Sequence, residues 1–407
     1  MRDFKYRRLL SWGGKIEPLF WLYSLIPLIF LLNNGSASRQ LRILNLLAVV
    51  CLALCSANIR KRLVKNYQAL QPLVKVLLAV ILIAAVYSGL RSFQSIDLRL
   101  VGYTPEYLGI LSWFIFFFVG LLFSHDLKRV ILSPKLLWVL LLALVVSLGG
   151  DSVYIRDGLR IGGVMFQSTT MALYAAGAAV VALHHLSANK SEKWTARLAA
   201  TTLVLATATV VLTQSRVGYV ALIMVFGVWA VLQYKTRRWL SVVLITLIVC
   251  IALLPRISAD YFSRFYAASV NKGVDYRLDL YKTSAPDLLR HNLLIGNGAS
   301  ALPRAINNQN QVTEEVAKSL RLGYTFSSTH DLYFDIANFF GCLAALAFVL
   351  LTVLGLRHPL KKLKAQPVLA LLFLVLILNA LFNVPSLELT SLYFVVMFGL
   401  LQPDILP

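Results

Sequence analysis

Charged side chains are scarce in this chain of 407 residues: Asp, Glu, Lys and Arg make up 14% of it, whereas 58% of the residues are hydrophobic. Soluble globular domains carry about 25% charged residues, so the composition excludes a pair of soluble domains. Apolar runs long enough to cross the ~30 Å hydrocarbon core of a bilayer recur along the whole length. The sequence therefore predicts an all-α polytopic membrane protein.

Cysteine and acidic residues are also few. The chain has four cysteines, and all lie in apolar runs: Cys51, Cys55, Cys250 and Cys342. We therefore expect neither a disulfide framework nor a cysteine metal site. Asp and Glu number 18 against 39 Lys and Arg. Because no basic helix is interleaved with stacking aromatic residues, this excess does not indicate a nucleic-acid partner.

The basic residues lie instead in short clusters between apolar runs, in alternate loops. The positive-inside rule places these clusters and both termini in the cytoplasm. We predict about 12 transmembrane helices, at about residues 18–33, 41–57, 73–90, 107–123, 136–149, 163–183, 198–213, 217–234, 239–254, 331–354, 368–383 and 389–402.

One long polar segment interrupts this pattern, from Pro255 to His330. The predicted organisation is thus transmembrane helices 1–9 in residues 1–254, a large periplasmic loop with short helices in 255–330, and transmembrane helices 10–12 in 331–407. Since the other connections are too short to hold an active site alone, we expect the chemistry to involve this loop.

Arginines stand out on the predicted outer face at positions 156, 160, 216 and 277. Arg216 lies in TQSRVG, a short turn between two apolar helices, where charge is least expected. Such an arginine either reaches to lipid headgroups or binds an anion such as a lipid phosphate. Arg156 and Arg160 lie in IRDGLRIGG, where Asp157 can simply pair with one of them. The residues alone leave these alternatives open.

His330 stands at the end of the polar segment, after Ser327, Ser328 and Thr329. Any of these three could cap the helix that continues as DLYFDIANFF. In the first helical turn the positive end of the dipole would disfavour the protonated imidazole. A neutral imidazole is what a general base needs. The alternative is a polar interfacial histidine without chemistry.

A metal site is the other chemistry to consider. Asp275 and Asp279 are four residues apart on a predicted helix. Two acids with this spacing more often form a solvated helix face than a metal site. We therefore expect no bound metal and no cofactor.

In this order, the segments resemble the O-antigen ligase family of bacterial inner-membrane proteins. TQSRVG is similar to the family's Ser-Arg turn before a span. DYRLDLYKTS with HNLLIGNGAS resembles its Arg-x3-Trp helix followed by His-Pro and a Gly-x-Gly turn. The His330 segment resembles its His-Asn/Ser/Gln-x9-Gly signature, with Gly341 in register. The chain departs from the pattern at Tyr281 (usually Trp), Asn292 (usually Pro) and Asp331 (usually an amide or Ser). An early Gly-x-Pro-Asn-like element is blurred into GGVMFQSTT.

The resemblance implies a membrane-embedded glycosyltransferase of the GT-C-like type. The donor would be a glycan on undecaprenyl diphosphate, and the acceptor a sugar hydroxyl of lipid A–core oligosaccharide. Transfer would occur on the periplasmic side of the inner membrane, with inversion at the anomeric carbon. His330 would be the catalytic base, and Arg160, Arg216 and Arg277 would bind the diphosphate.

Other functions fit the same pattern. An O-antigen polymerase or a protein O-oligosaccharyltransferase would use the same lipid carrier with a different acceptor. A non-enzymatic flippase or transporter of the carrier would place charges deep in the spans and show internal repeats. The spans are nearly free of charge and no clear repeat is visible. The sequence assigns no role to Arg156, Asp331 or Asp335.

Overall fold

In a computed structural model of the chain, a set of separate segments covers most of the predicted spans and part of the polar loop. The described residues are 48–51, 53–94, 106–124, 130–131, 133–149, 153–155, 159–161, 168–187, 193–213, 215–233, 278–282, 285–286, 288–289, 293–296, 331–361, 367–382 and 387–402.

The regular elements, in chain order, are α1 (Ala57–Gln68), α2 (Pro72–Gln94), α3 (Glu106–Phe123), α4 (Pro134–Gly149), β1 (Val153–Ile155), β2 (Leu159–Ile161), α5 (Ser168–Ser187), α6 (Lys193–Thr213), α7 (Arg216–Gln233), α8 (Leu332–Phe340), α9 (Cys342–Lys361), α10 (Pro367–Phe382) and α11 (Leu387–Leu401).

Apolar runs form these helices because only a helix satisfies every backbone N–H and C=O within one segment in lipid. The predicted spans between residues 73 and 234 and after residue 368 coincide with helices to within a few residues. Among the described residues, Thr169–Ser187 and Lys193–Thr213 are long and apolar enough to cross a membrane. The bent pair α1–α2 adds a third if it counts as one span. The predicted spans at 18–33 and 239–254 lie outside the described residues, so twelve spans remains a prediction.

The basic cluster after residue 57 is a helix and not the short loop that the span assignment implies. α1 carries exposed Arg60, Lys61 and Lys65. Its axis meets that of α2 at 112°, and Pro72 occupies the first position of α2, where its missing N–H has no helical partner to lose. The chain therefore turns sharply at the N-terminus of α2, and the basic residues lie on a separate helix, α1.

Small side chains let α5, α6 and α7 pack closely. On α5, Ala172, Ala176 and Ala179 are completely buried. α6 carries several threonines, and the hydroxyls of Thr202 and Thr207 donate to the carbonyl oxygens of residues four positions earlier, at 2.8 and 2.9 Å. Their polar atoms are thus satisfied within the helix. Small residues of this kind are typical of helix contacts in membranes.

Aromatic side chains fill the contact between α3, α9 and α11. The Phe117 and Phe394 ring centroids lie 4.9 Å apart. Three buried hydroxyls join α8, α9 and α11: the Tyr393 hydroxyl lies 2.6 Å from Thr352 Oγ1 and 3.2 Å from the Tyr333 hydroxyl. This network ties α8 into the helical core.

A short antiparallel ribbon lies between α4 and α5. β1 pairs with β2 so that Tyr154 is opposite Arg160, and β2 packs against α6. The all-helical prediction holds for the spanning segments, and the ribbon adds strands to it. The helix expected near residue 163 begins at Ser168, and residues 156–158, with Arg156, lie outside the described residues.

The predicted single helix over 331–354 is wrong. α8 ends at Gly341, which has φ 90°, and α9 begins at Cys342. The Cys342 N–H donates to the Leu293 carbonyl oxygen at 2.8 Å, a partner in the polar segment. The chain breaks here because another part of the protein supplies the hydrogen bond at the start of α9.

Candidate functional site

The Ser-Arg turn starts α7 and presents Arg216 outward. Buried Ser215 caps the helix: its Oγ accepts from the Gly218 N–H at 3.3 Å, and its carbonyl accepts from the Tyr219 N–H at 3.0 Å. Arg216 is the first helical residue and is exposed. The positive end of the helix dipole and the guanidinium therefore lie together, an arrangement that favours an anion.

The turn has a glycine at position 218 because there is no room for a side chain. A Cβ atom there would lie 2.5 Å from Ala172 Cβ and 3.1 Å from Val210 Cγ1. The start of α7 thus rests on the start of α5 and the end of α6. The ribbon, which contains the Arg160 backbone, closely precedes α5 and packs against α6.

Asp331 caps α8, which corrects the predicted cap at Ser327, Ser328 or Thr329. The Asp331 Oδ1 atom accepts from the N–H groups of Tyr333 and Phe334 at 2.9 and 3.1 Å. A carboxylate satisfies the free N–H groups as a hydroxyl does and adds a favourable charge at the positive helix end. The expectation that His330 lies in the first helical turn is wrong: it precedes the capping residue and lies outside the described residues.

The polar segment docks on the first turn of α8 through Tyr281. Its hydroxyl donates to Asp331 Oδ2 at 3.4 Å, and its ring centroid lies 4.8 Å from that of Phe334. The neighbouring residue Leu280 is completely buried. Part of the predicted loop helix, residues 278–282, therefore packs against the start of α8.

The same segment docks on the other end of α8 through two glycines. Gly296 has φ 74°, and a Cβ atom there would lie 2.5 Å from the Gly341 nitrogen. A Cβ atom on Gly341 would collide with the Leu294 carbonyl oxygen. Both positions need glycine for conformation and for space, which explains why the Gly-x-Gly turn and Gly341 occur in one motif set.

Replacing Gly341 with alanine should therefore weaken this docking. A non-glycine residue in a strained backbone conformation costs about 1–3 kcal/mol, and the collision with Leu294 adds to that cost. We expect a lower unfolding temperature in detergent, measured by a thermal shift.

Gly227→Ala is the matched control, because a Cβ atom there meets nothing within 4 Å and alanine favours a helix. Equal unfolding temperatures for the two variants would contradict the close glycine contact.

The structure describes the predicted site residues unevenly. Arg216 is placed, whereas only the backbone of Arg160 is described, and Arg277 and His330 lie outside the described residues. Arg277 directly precedes the helical residues 278–282, and His330 directly precedes Asp331. The Tyr281–Asp331 contact thus joins the two chain segments that carry the predicted base and one predicted arginine.

The predicted solvated carboxylates are described in part. Asp279 forms an ion pair with Lys282 at 3.8 Å, and Asp275 lies outside the described residues. Within the described segments no group of three or more His, Cys, Asp or Glu is placed to hold a metal ion.

Sequence reasoning missed the polar groups that α8 buries. Asp335 and Asn338 are each 1% exposed, although both lie in the apolar run DLYFDIANFF. A second missed contact is that of Ser88 on α2, whose Oγ donates to the Phe339 carbonyl at 2.7 Å. An ionisable residue within a spanning segment was the available signal, since such residues are costly in lipid and usually face the protein interior.

Helices of this kind, with a polar segment docked on α8, define a helical membrane protein. Residues 201–349 match the family model described as O-antigen ligase. The match confirms the resemblance to the O-antigen ligase family over this segment, which includes the Ser-Arg turn, the polar segment, His330 and Gly341. Arg160 precedes the matched segment. No curated protein matches the chain significantly.

Proposed function

We propose that the protein is an O-antigen ligase of the bacterial inner membrane. It transfers a glycan from undecaprenyl diphosphate to a sugar hydroxyl of lipid A–core oligosaccharide, on the periplasmic side and with inversion. The observation that carries the proposal is the family match over 201–349. That segment contains three of the four proposed site residues, Arg216, Arg277 and His330.

The proposed chemistry is a direct displacement at the anomeric carbon. His330 takes the proton from the acceptor hydroxyl as its oxygen bonds to the anomeric carbon. The bond from that carbon to the carrier's phosphate oxygen breaks, and the electron pair leaves with the diphosphate. Arg216 and Arg277, with Arg160, bind and stabilise the departing charge.

Two features of the described residues support this assignment. Arg216 is an exposed guanidinium at a helix N-terminus, where backbone N–H groups and the dipole also favour a phosphate. The segment that follows Arg277 docks on the helix that follows His330 through Tyr281 and Asp331. The chain segments next to one proposed arginine and next to the proposed base are therefore in contact.

Transfer from a purified carrier-linked glycan tests the proposal. We expect the purified protein to extend lipid A–core, but neither a second carrier-linked glycan nor a peptide. Chain growth on the carrier would instead indicate a polymerase, and a glycosylated peptide an oligosaccharyltransferase. Movement of the carrier across proteoliposomes without any transfer would indicate a flippase.

Transfer should not need a divalent metal, because arginines take the part that a metal ion plays at the diphosphate. We expect the rate to be unchanged after exhaustive chelation of the purified protein. Loss of activity with chelator and its recovery with magnesium or manganese would contradict this and point to Asp275 and Asp279.

The proposed topology has both termini in the cytoplasm and residues 255–330 in the periplasm, from the distribution of basic residues. Single cysteines at Asn307 and Lys362, in a background without other cysteines, should react differently with an impermeant thiol reagent in cells with a permeabilised outer membrane. We expect labelling at position 307 alone. Labelling at 362 alone would invert the topology.

A further inference from the structure

The polar segment contacts both ends of α8, and the two contacts differ in chemistry. At the C-terminal end the contact is made by backbone: the Cys342 N–H to the Leu293 carbonyl, and the close approach of Gly296 to Gly341. At the N-terminal end the contact includes a side chain, Tyr281. A nine-residue helix is about 13 Å long, so contacts at both ends define how the segment lies along it.

Asp331 has two roles at the N-terminal contact: it caps α8 and it binds Tyr281. One carboxylate oxygen, Oδ1, accepts the N–H groups of Tyr333 and Phe334, while the other, Oδ2, accepts the Tyr281 hydroxyl. The Tyr281 ring also packs on Phe334, the residue whose N–H Asp331 binds. The Asp331 side chain therefore caps the start of α8 and also attaches the polar segment to it.

We infer that Tyr281 and Asp331 form a positioning pair, which holds residues 278–282 against the first turn of α8. Resting on the proposed function, this pair sets the placement of Arg277, one residue before that helical stretch, relative to His330, one residue before Asp331. Neither Tyr281 nor Asp331 takes part in the chemistry. The two positions are also those at which the chain has Tyr and Asp where the family pattern has Trp and an amide or serine.

Two conservative changes separate this pair from the other roles of its members. Tyr281→Phe removes the hydroxyl and keeps the ring on Phe334. Asp331→Ser removes the charge and the oxygen that Tyr281 binds and keeps a good N-cap, because serine caps helices about as well as aspartate does. Small displacements of reacting groups lower rates by up to about 10²-fold. We expect each change to lower kcat about tenfold to a hundredfold.

A double-mutant cycle tests the coupling. If the pair acts as a unit, Tyr281→Phe/Asp331→Ser should be no slower than the slower single variant. If Asp331 instead acts on His330 through its charge alone, the two effects multiply, and that result would overturn the inference. Tyr281→Trp, which keeps a ring and an N–H donor, should retain a rate within about threefold of the original. Tyr67→Phe, which removes an exposed hydroxyl on α1, is the control.

A second readout does not depend on glycan transfer. Limited proteolysis of the polar segment reports its docking, and Tyr281→Phe and Asp331→Ser should each raise the cleavage rate, again without a further increase in the double variant. Independent, multiplying effects on cleavage would overturn the inference whether or not transfer is detected. If the original protein transfers no glycan to any acceptor, the proposed function fails, and cleavage alone still tests the pair.

Discussion

Replacing His330 with alanine is expected to reduce glycan transfer by about 10²–10⁴-fold, the usual contribution of a general base. Without the imidazole, the acceptor hydroxyl must lose its proton to water as it attacks the anomeric carbon. Binding of undecaprenyl diphosphate should be unchanged, because the arginines and not the base hold the diphosphate. The measurement is single-turnover transfer with purified protein, combined with carrier-lipid affinity.

The variant should remain folded, because Asp331 caps α8. Asp331→Ala provides the contrast: it removes the cap, which is worth about 1 kcal/mol, and should lower the unfolding temperature where His330→Ala does not. Added imidazole should restore part of the His330→Ala rate if the missing group is a base. Near-normal turnover by a folded His330→Ala would make the histidine structural.

Arg216→Lys and Arg277→Lys are expected to bind undecaprenyl diphosphate about tenfold to a hundredfold more weakly, as hydrogen bonds to charged groups are worth about 1.5–3 kcal/mol. A planar guanidinium bonds two phosphate oxygens at once, whereas lysine keeps the charge and loses that fork. Exposed Arg216 already lies at the positive end of α7. A phosphate bound there would receive both the helix N–H groups and the fork.

Carrier-lipid affinity measured in nanodiscs distinguishes diphosphate binding from the alternative that the arginines only reach to lipid headgroups. In the alternative, lysine would serve equally well. Arg60→Lys is the matched control: Arg60 is an exposed arginine on α1 whose guanidinium donates to the Leu54 carbonyl, remote in sequence from the proposed site. Unchanged affinity in both site variants would remove the diphosphate role, whatever happened to turnover.

One part of the candidate site could be predicted from a local pattern. The TQSRVG turn indicated an exposed arginine at a helix start, and the structure places Arg216 there with Ser215 as the cap. Which groups cap α8 could not be predicted, since Ser327, Ser328, Thr329 and Asp331 all suit that role. The structure distinguishes them: the Asp331 backbone is extended, with φ −140° and ψ 114°, and its Oδ1 atom accepts from the N–H groups of Tyr333 and Phe334.

The helices are determined by the sequence alone, because each apolar run must satisfy its backbone within itself in lipid. Tertiary structure decided what joins segments distant in the chain. Tyr281 meets Asp331 across 50 residues, and the turn at Gly296 meets Gly341, which divides one apolar run into α8 and α9. No local pattern predicts such a break, since Gly341 alone would be tolerated in a helix. The helix breaks at this glycine because the Cys342 N–H donates to the Leu293 carbonyl oxygen. That hydrogen bond exists only once the polar segment has docked.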